Sequence, residues 1–267
     1  MLIDTHCHLD FEDFDKDRDD VIKRADNQGI KYIINVGSTV EGSGRSLELA
    51  KKYDKIFSSI GVHPHYAHTL KKNTLSEMRR LAKEKKVVAI GEVGLDYYKN
   101  NLPKDVQKSA FRKFIKLSRD VKLPLIVHNR EAHRDTLAIL REELGREAKG
   151  VMHCFSGDIN FLDKCLDMGL FVSFTCNLTF KNAGKIRELA ARVPLERLLL
   201  ETDAPFLAPQ IFRGKRNEPS YLIYLIKELA GVKGVMPWEI EEATTQNAIR
   251  LFFDKKKLYS GFTQIES

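Results

Sequence analysis

Short, near-continuous apolar runs alternate along the chain with longer segments whose apolar positions recur at helical spacing. The apolar runs predict strands at Leu2–Asp4, Tyr32–Val36, Ser58–Val62, Val87–Ile90, Leu125–Val127, Val151–Met152, Phe171–Phe174 and Leu198–Leu200. Runs without in–out alternation mark strands covered on both faces. Between them, helices are predicted over Asp17–Gln28, Gly42–Tyr53, Ser76–Glu84, Val106–Val121, Ala132–Leu144, Ile159–Met168 and Ala183–Arg192. Gly29, Gly145, Gly169 and Pro194 stand just beyond four of these segments as stop signals. After the last strand, a long loop leads to further helical patterns at Ser220–Leu229 and Pro237–Phe253. Alternating β and α elements predict a parallel sheet. Eight such units predict closure into an α/β fold of the (β/α)8 TIM-barrel type. No linker rich in Pro, Gly or Ser divides the chain, so a single domain over 1–267 is expected.

Composition narrows the class. Hydrophobic residues make up 43% and charged residues 30%, which suits a large core under a solvated surface. The net charge of +7 favours polyanionic partners before any specific contact forms. Cys7, Cys154, Cys165 and Cys176 contain no CxxC pair, so no zinc knuckle or redox motif is indicated. Cys7 and Cys154, although next to candidate ligands, are read as packing residues. The first residues lack the basic and apolar regions of a signal peptide, and no apolar run approaches a membrane span. A cytoplasmic monomer without membrane association is the expectation.

Barrel enzymes place their chemistry at the C-terminal ends of the strands. The chain has eight histidines, at 6, 8, 63, 65, 68, 128, 133 and 153, and each falls at or just beyond a predicted strand end. His6 and His8, at i and i+2, project from one face of a strand and can reach one ion. His128 and His153 sit at the ends of the fifth and sixth strands, Glu92 at the fourth and Asp203 at the eighth. Imidazole with carboxylate suits one or two divalent ions, with Mg, Mn, Zn, Ni and Co all admissible. Glu92 is placed to bridge two of them, and Asp203 to bind one and act as base. Glu201 could orient a ligand or substrate, or sit as an ion-paired strand-end acid. His65, His68 and His133 lie further out and are read as hydrogen-bonded or solvated side chains.

Asp4-Thr5-His6-Cys7-His8, Gly61-Val62-His63-Pro64, Gly91-Glu92-Val93-Gly94-Leu95-Asp96, Val127-His128-Asn129-Arg130, His153-Cys154-Phe155-Ser156-Gly157, Glu201-Thr202-Asp203-Ala204-Pro205 and Arg213-Gly214-Lys215-Arg216-Asn217-Glu218-Pro219 occur in that order. Together they resemble the TatD family of metal-dependent deoxyribonucleases, within the amidohydrolase-like hydrolases, from about residue 1 to Phe253. The resemblance implies that His6, His8 and Asp203 hold a first metal, that His128 and His153 hold a second, and that Glu92 bridges them. It also implies that His63 sits by the substrate. Asn129 departs from the Ser or Thr common in relatives. Some amidohydrolases use a carboxylated Lys as the bridge, but here Lys99 lies well beyond the strand end and Glu92 takes that place.

The expected reaction is phosphodiester hydrolysis, with an activated water passing its proton to Asp203 and with His63 and Arg130 stabilising the phosphoryl oxygens. Arg213, Lys215 and Arg216 are expected to grip phosphates. A duplex about 20 Å across is wide for a barrel mouth, which favours 3′ exonuclease action on single-stranded DNA or frayed ends, with RNA not distinguished from DNA. Two alternatives stay open at this point. One is an amide or ester hydrolase, including aminoacyl-tRNA deacylation. The other is a nucleic-acid-binding protein with a structural metal and no turnover.

Overall fold

Each of the eight apolar runs forms a strand. The computed structural model describes residues 1–98, 102–145 and 148–253, so Lys99 and the tail after Phe253 lie outside the described residues. The strands are β1 (Leu2–Cys7), β2 (Ile30–Val36), β3 (Ile56–Ile60), β4 (Val87–Asp96), β5 (Leu125–Arg130), β6 (Gly150–Met152), β7 (Phe171–Phe174) and β8 (Leu198–Leu200). All neighbours pair in parallel and in sequence order. The ring comes together where Asp203 N donates to His6 O at 2.9 Å and His8 N donates to Ala204 O at 2.7 Å. The architecture is a (β/α)8 barrel.

The helices are α1 (Arg18–Asn27), α2 (Val40–Lys52), α3 (Thr74–Leu81), α4 (Lys104–Val121), α5 (His133–Leu144), α6 (Ile159–Asp167), α7 (Gly184–Arg192), α8 (Leu222–Lys233) and α9 (Pro237–Phe252). Local chemistry sets several of their ends. Thr39 caps α2 by accepting from Gly42 N, and Asp158 caps α6 by accepting from Phe161 N. Side chains that accept from these otherwise unpaired donors stabilise a helix start by about 1 kcal/mol. Among the described residues, no helix is long and apolar enough to cross a membrane.

Two apolar layers hold the barrel. One lies between the strands and the surrounding helices, with Phe14, Ile60, Phe111, Phe114 and Phe174 among its fully buried side chains. The other fills the barrel itself: Ile3, Ile34, Val88, Ile126, Val151, Phe171 and Leu199 pack with Ala248, Leu251 and Phe252 of α9. Asn247 of α9 donates to the carbonyls of Leu195 and Leu198, at the start of β8, and Thr245 donates to that of Met1. α9 therefore closes the floor, at the N-terminal ends of the strands, and leaves the opposite end for chemistry.

Three strands run further at their C-terminal ends than their apolar patterns predict, while β3 starts and ends two residues earlier than predicted. β1 reaches Cys7, β4 reaches Asp96 and β5 reaches Arg130. The β4–β5 ladder continues through Gly94 with His128 and Asp96 with Arg130. The sequence pattern turns polar there because these positions line the mouth, while the backbone pairing goes on. Gly94 has φ +148°, and a Cβ there would lie 1.9 Å from His128 O, so only glycine lets β4 approach β5 this closely.

Candidate metal centre and active site

The register shift in β4 between Ile90 and Val93 places one extra residue against β5. Bulges of this kind re-aim side chains, and Glu92 stands inside this one. Its Oε1 lies 2.7 Å from His128 Nδ1, 2.8 Å from His153 Nε2 and 3.7 Å from His63 Nε2, and its Oε2 lies 3.8 Å from His6 Nε2. On the other side of the mouth, His6 Nε2 and His8 Nε2 are 3.2 Å apart, and each is 3.6 Å from Asp203 Oδ1. Asp203 holds φ +55°, in the left-handed region that Asp tolerates better than most residues. The His6 and His153 rings stack at 4.1 Å between the two groups.

Donor atoms bound about 2.0–2.2 Å from a common ion lie roughly 3–3.5 Å from one another. The His6–His8–Asp203 cluster approaches that spacing, with its ligand atoms within 4.8 Å of one another, and so do Glu92 Oε1, His128 Nδ1 and His153 Nε2, at 2.7, 2.8 and 3.4 Å from one another. The far ring nitrogens support the same reading. His8 Nδ1 is 2.9 Å from Val36 O, His153 Nδ1 is 3.2 Å from Glu201 Oε1, and His128 Nε2 is 3.1 Å from Asp96 Oδ2. Each far nitrogen faces an acceptor that can hold an N–H, the arrangement that backs a metal-binding imidazole and orients its ring toward the mouth. The residues fit a divalent ion at one or both groups.

Electrostatics follow from this crowding. Burial pushes the Glu92 carboxyl up, but His153, His63 and His128 outweigh it and hold the group well below the usual carboxylate range. Burial and neighbouring His153 hold His6 well below its ordinary value. Burial opposes the charged form of His153, yet Glu92 and Glu201 raise it well above. Burial also pushes His63 down to about 3, so it is neutral near pH 7. Its Nδ1 accepts from His65 N at 3.2 Å, which leaves an N–H on Nε2 near Glu92.

The family model for TatD related DNase matches residues 3–253. The chain belongs to the TatD family. An uncharacterized metal-dependent hydrolase, YabD of Bacillus subtilis, is 44% identical, covering 94% of this chain and 99% of that protein. A TatD of Erwinia tasmaniensis, named as a 3′-5′ ssDNA/RNA exonuclease, is 38% identical over 94% of this chain and 99% of its own length. The crystal structure of YjjV, a TatD homologue from Escherichia coli K12, has a TM-score of 0.89 at 30% identity, covering 94% of this chain and 97% of that one. As a TatD-family member the chain is a metal-dependent hydrolase.

Around this TatD centre, the remaining sequence-predicted residues take different places. Arg130 is exposed and stacks 3.9 Å over the Tyr98 ring, and Arg213 stacks 4.4 Å over Phe180. Lys215 is exposed, with its Nζ 6.0 Å from the Phe212 ring. Arg216 departs from expectation, whereas Glu201 takes the ion-paired place that was one of its two alternatives. Arg216 donates to both carboxylate oxygens of Asp17 at 2.7 Å and covers Phe14, so it struts the loop against α1 instead of offering itself to a phosphate. Glu201 is 1% exposed and accepts from Cys154 N at 2.6 Å beneath His153, which leaves it no face toward a substrate. Cys7 is fully buried in the core, while Cys154 is half-buried with its Sγ 3.8 Å from Thr175 Oγ1. His133 Nδ1 pairs with Asn129 Nδ2 at 2.6 Å.

Several contributors were not singled out from the sequence. Asp4 is buried and accepts from Thr202 N at 3.0 Å and from Thr202 Oγ1 at 2.5 Å, which ties β1 to the segment carrying Asp203. Asn217 donates to Thr202 O and Phe206 O and folds the last loop back toward the mouth. Phe11 stacks on His8 at 4.7 Å, and half-exposed Phe206 meets both rings edge-on at 6.2 Å. Both acids stand inside motifs read for their neighbouring residues, Asp4 two positions before His6 and Asp96 four after Glu92, and that proximity was the available signal. The exposed aromatics carry no pattern that separates them from core residues.

Proposed function

We propose that this protein hydrolyses phosphodiester bonds of single-stranded nucleic acid, working inward from a 3′ end. The observation that carries the reading is the combination of the Glu92–His–Asp203 centre with a rim of exposed aromatic and cationic side chains. Bases stack on aromatic faces at about 1–3 kcal/mol each without regard to sequence, and flanking cations follow the phosphates. Phe206, Phe11 and Tyr98 supply such faces, and Arg130, Arg213 and Lys215 supply such charges. The name of the Erwinia relative supports this substrate class.

His6, His8 and Asp203 would hold one divalent ion and His128 and His153 another, with Glu92 between them. Bound there, such ions supply Lewis acidity toward a phosphoryl oxygen and make water acidic enough to attack near neutral pH. The chain's own residues do the rest. Asp203, the most exposed of the acids at the centre, accepts the proton of the attacking water on the carboxylate oxygen that does not face His6 and His8. Neutral His63 donates its Nε2–H to a non-bridging oxygen, and Arg130 neutralises the adjoining phosphate. Phe206 over His8 excludes bulk water from that side.

Closed and linear forms of the same single-stranded DNA test the end requirement. The linear form is expected to be shortened and the circle to survive. Equal rates on both would overturn the exonuclease reading. Turnover of an aminoacyl ester with no cut in either DNA would replace the phosphodiester with an acyl substrate.

A further inference from the structure

We propose that Asp96, which has no role in the chemistry above, is a positioning residue that fixes which ring nitrogen of His128 carries the proton. The inference rests on the reading of His128 as a metal ligand. Asp96 is the last residue of β4, four positions after Glu92, and is 2% exposed. Gln107 of α4 grips its backbone from both sides, with Asp96 N donating to Gln107 Oε1 and Gln107 Nε2 donating to Asp96 O, each at 2.9 Å. The side chain is equally committed. Oδ1 accepts from Tyr98 N at 2.9 Å, and Oδ2 lies 3.1 Å from His128 Nε2 and 3.0 Å from His65 Nε2.

An ionised carboxylate can only accept. On the other side Glu92 Oε1 stands 2.7 Å from Nδ1, so an ion bound there would take the place of the Nδ1 proton, and Nε2, facing Oδ2, is the nitrogen that keeps its N–H. His153 has the same arrangement in mirror order, with Nδ1 against Glu201 and Nε2 toward Glu92. A carboxylate behind each imidazole also makes the ring a stronger donor, and loss of such a partner typically weakens metal binding 10–100-fold.

The Asn variant makes the claim sharp. In Asp96→Asn, the fixed Tyr98 N–H retains the amide oxygen at the Oδ1 position, which puts the NH2 opposite His128 Nε2. The metal-free variant then has a fully satisfied alternative: Nε2 accepts from the amide while Nδ1–H donates to Glu92 Oε1, now 2.7 Å away. An ion must undo that arrangement before it can use Nδ1. Asp96→Ala offers no such lock and leaves the ring free to take either tautomer. The isosteric change should therefore damage the site more than the truncation. A residue that matters only for packing would give the opposite order.

The test is Zn2+ affinity of the metal-stripped full-length protein, by chelator competition, for the wild type, Asp96→Ala and Asp96→Asn. The expected losses are about tenfold for Ala and about a hundredfold for Asn. Thermal melts of the metal-free proteins check that each folds. Nitrogen-15 spectra of labelled histidine at alkaline pH, with His128→Gln to assign the signal, should show His128 of metal-free Asp96→Asn with its proton on Nδ1. A wild type that binds Zn2+ while Asn binds as tightly as Ala, or a His128 in the Asn variant with its proton on Nε2, would overturn the role of Asp96 alone. A wild type that binds no Zn2+, Mn2+ or Mg2+ would overturn the metal reading and this inference with it.

Discussion

Replacing Glu92 with Gln isolates the group on which both halves of the centre depend. Glu92 touches His128 and His153 through Oε1 at 2.7 and 2.8 Å and faces His6 through Oε2 at 3.8 Å, so neither metal group is complete without it. The change keeps the shape and removes the charge. An ion that binds only the folded protein stabilises it by about 2.7 kcal/mol when present at a hundred times its Kd. A domain near this size gains roughly 2–4 °C per kcal/mol, so the wild-type Tm should rise by about 5–11 °C on adding such an ion. If the loss of the bridging carboxylate weakens binding about a hundredfold, the same ion concentration sits near Kd and stabilises by only about 0.4 kcal/mol, or about 1 °C. Differential scanning calorimetry of metal-stripped protein, with and without Zn2+, reads both values. An equal rise in the wild type and in Glu92→Gln would refute the reasoning, because the ion would then be binding elsewhere.

Three further outcomes follow from particular residues. Burial raises Asp4 from its ordinary carboxylate value of 3.8 to about 7, against the hydrogen bonds from Thr202 and His6 that lower it. An acid with a raised folded pKa keeps its proton in the folded state after the unfolded chain has lost it, so its contribution falls as pH rises from about 4 to about 7 and is level above that. Metal-free Asp4→Asn should lack this fall, which is about 4 kcal/mol at most, and parallel denaturation curves across that range would contradict it. Phe206→Ala should weaken single-stranded DNA binding by about 1–3 kcal/mol in fluorescence anisotropy, and unchanged binding would remove Phe206 from the substrate path. Arg216→Ala, by contrast, should leave binding nearly unchanged and cost about 1 kcal/mol or less of stability through its partly exposed pair with Asp17, whereas a large affinity loss would return Arg216 to the phosphate path.

Much of the barrel was legible because strands covered on both faces are written as uninterrupted apolar runs, and Val87–Ile90 or Leu198–Leu200 need no context to be recognised. The ends were less legible. Where β4 continues to Asp96 and β5 to Arg130, the sequence turns polar while the ladder continues, and a hydrophobic pattern cannot follow backbone pairing. The ligands were readable for a related reason: carboxylates and imidazoles at the C-terminal ends of parallel strands can converge only on the barrel mouth. The groups behind them were not. Asp4 and Asp96 act through hydrogen bonds to residues up to 198 positions away, and such partners are set by the closed ring. Arg216 shows the reverse error: a basic residue in a basic loop reads as a phosphate grip until Asp17 is placed beside it.

In this proposal the ring of imidazoles and carboxylates between His6 and Asp203 is where a nucleic-acid strand is cut. Its most direct test is incubation of metal-stripped protein with 3′- and 5′-labelled single-stranded DNA, adding Mg2+, Mn2+ or Zn2+, alongside Asp203→Asn. The expected result is metal-dependent shortening from the 3′ end, reduced about 10²–10⁴-fold in the variant by loss of the base. Intact DNA under every ion that binds, or equal shortening by Asp203→Asn, would contradict it.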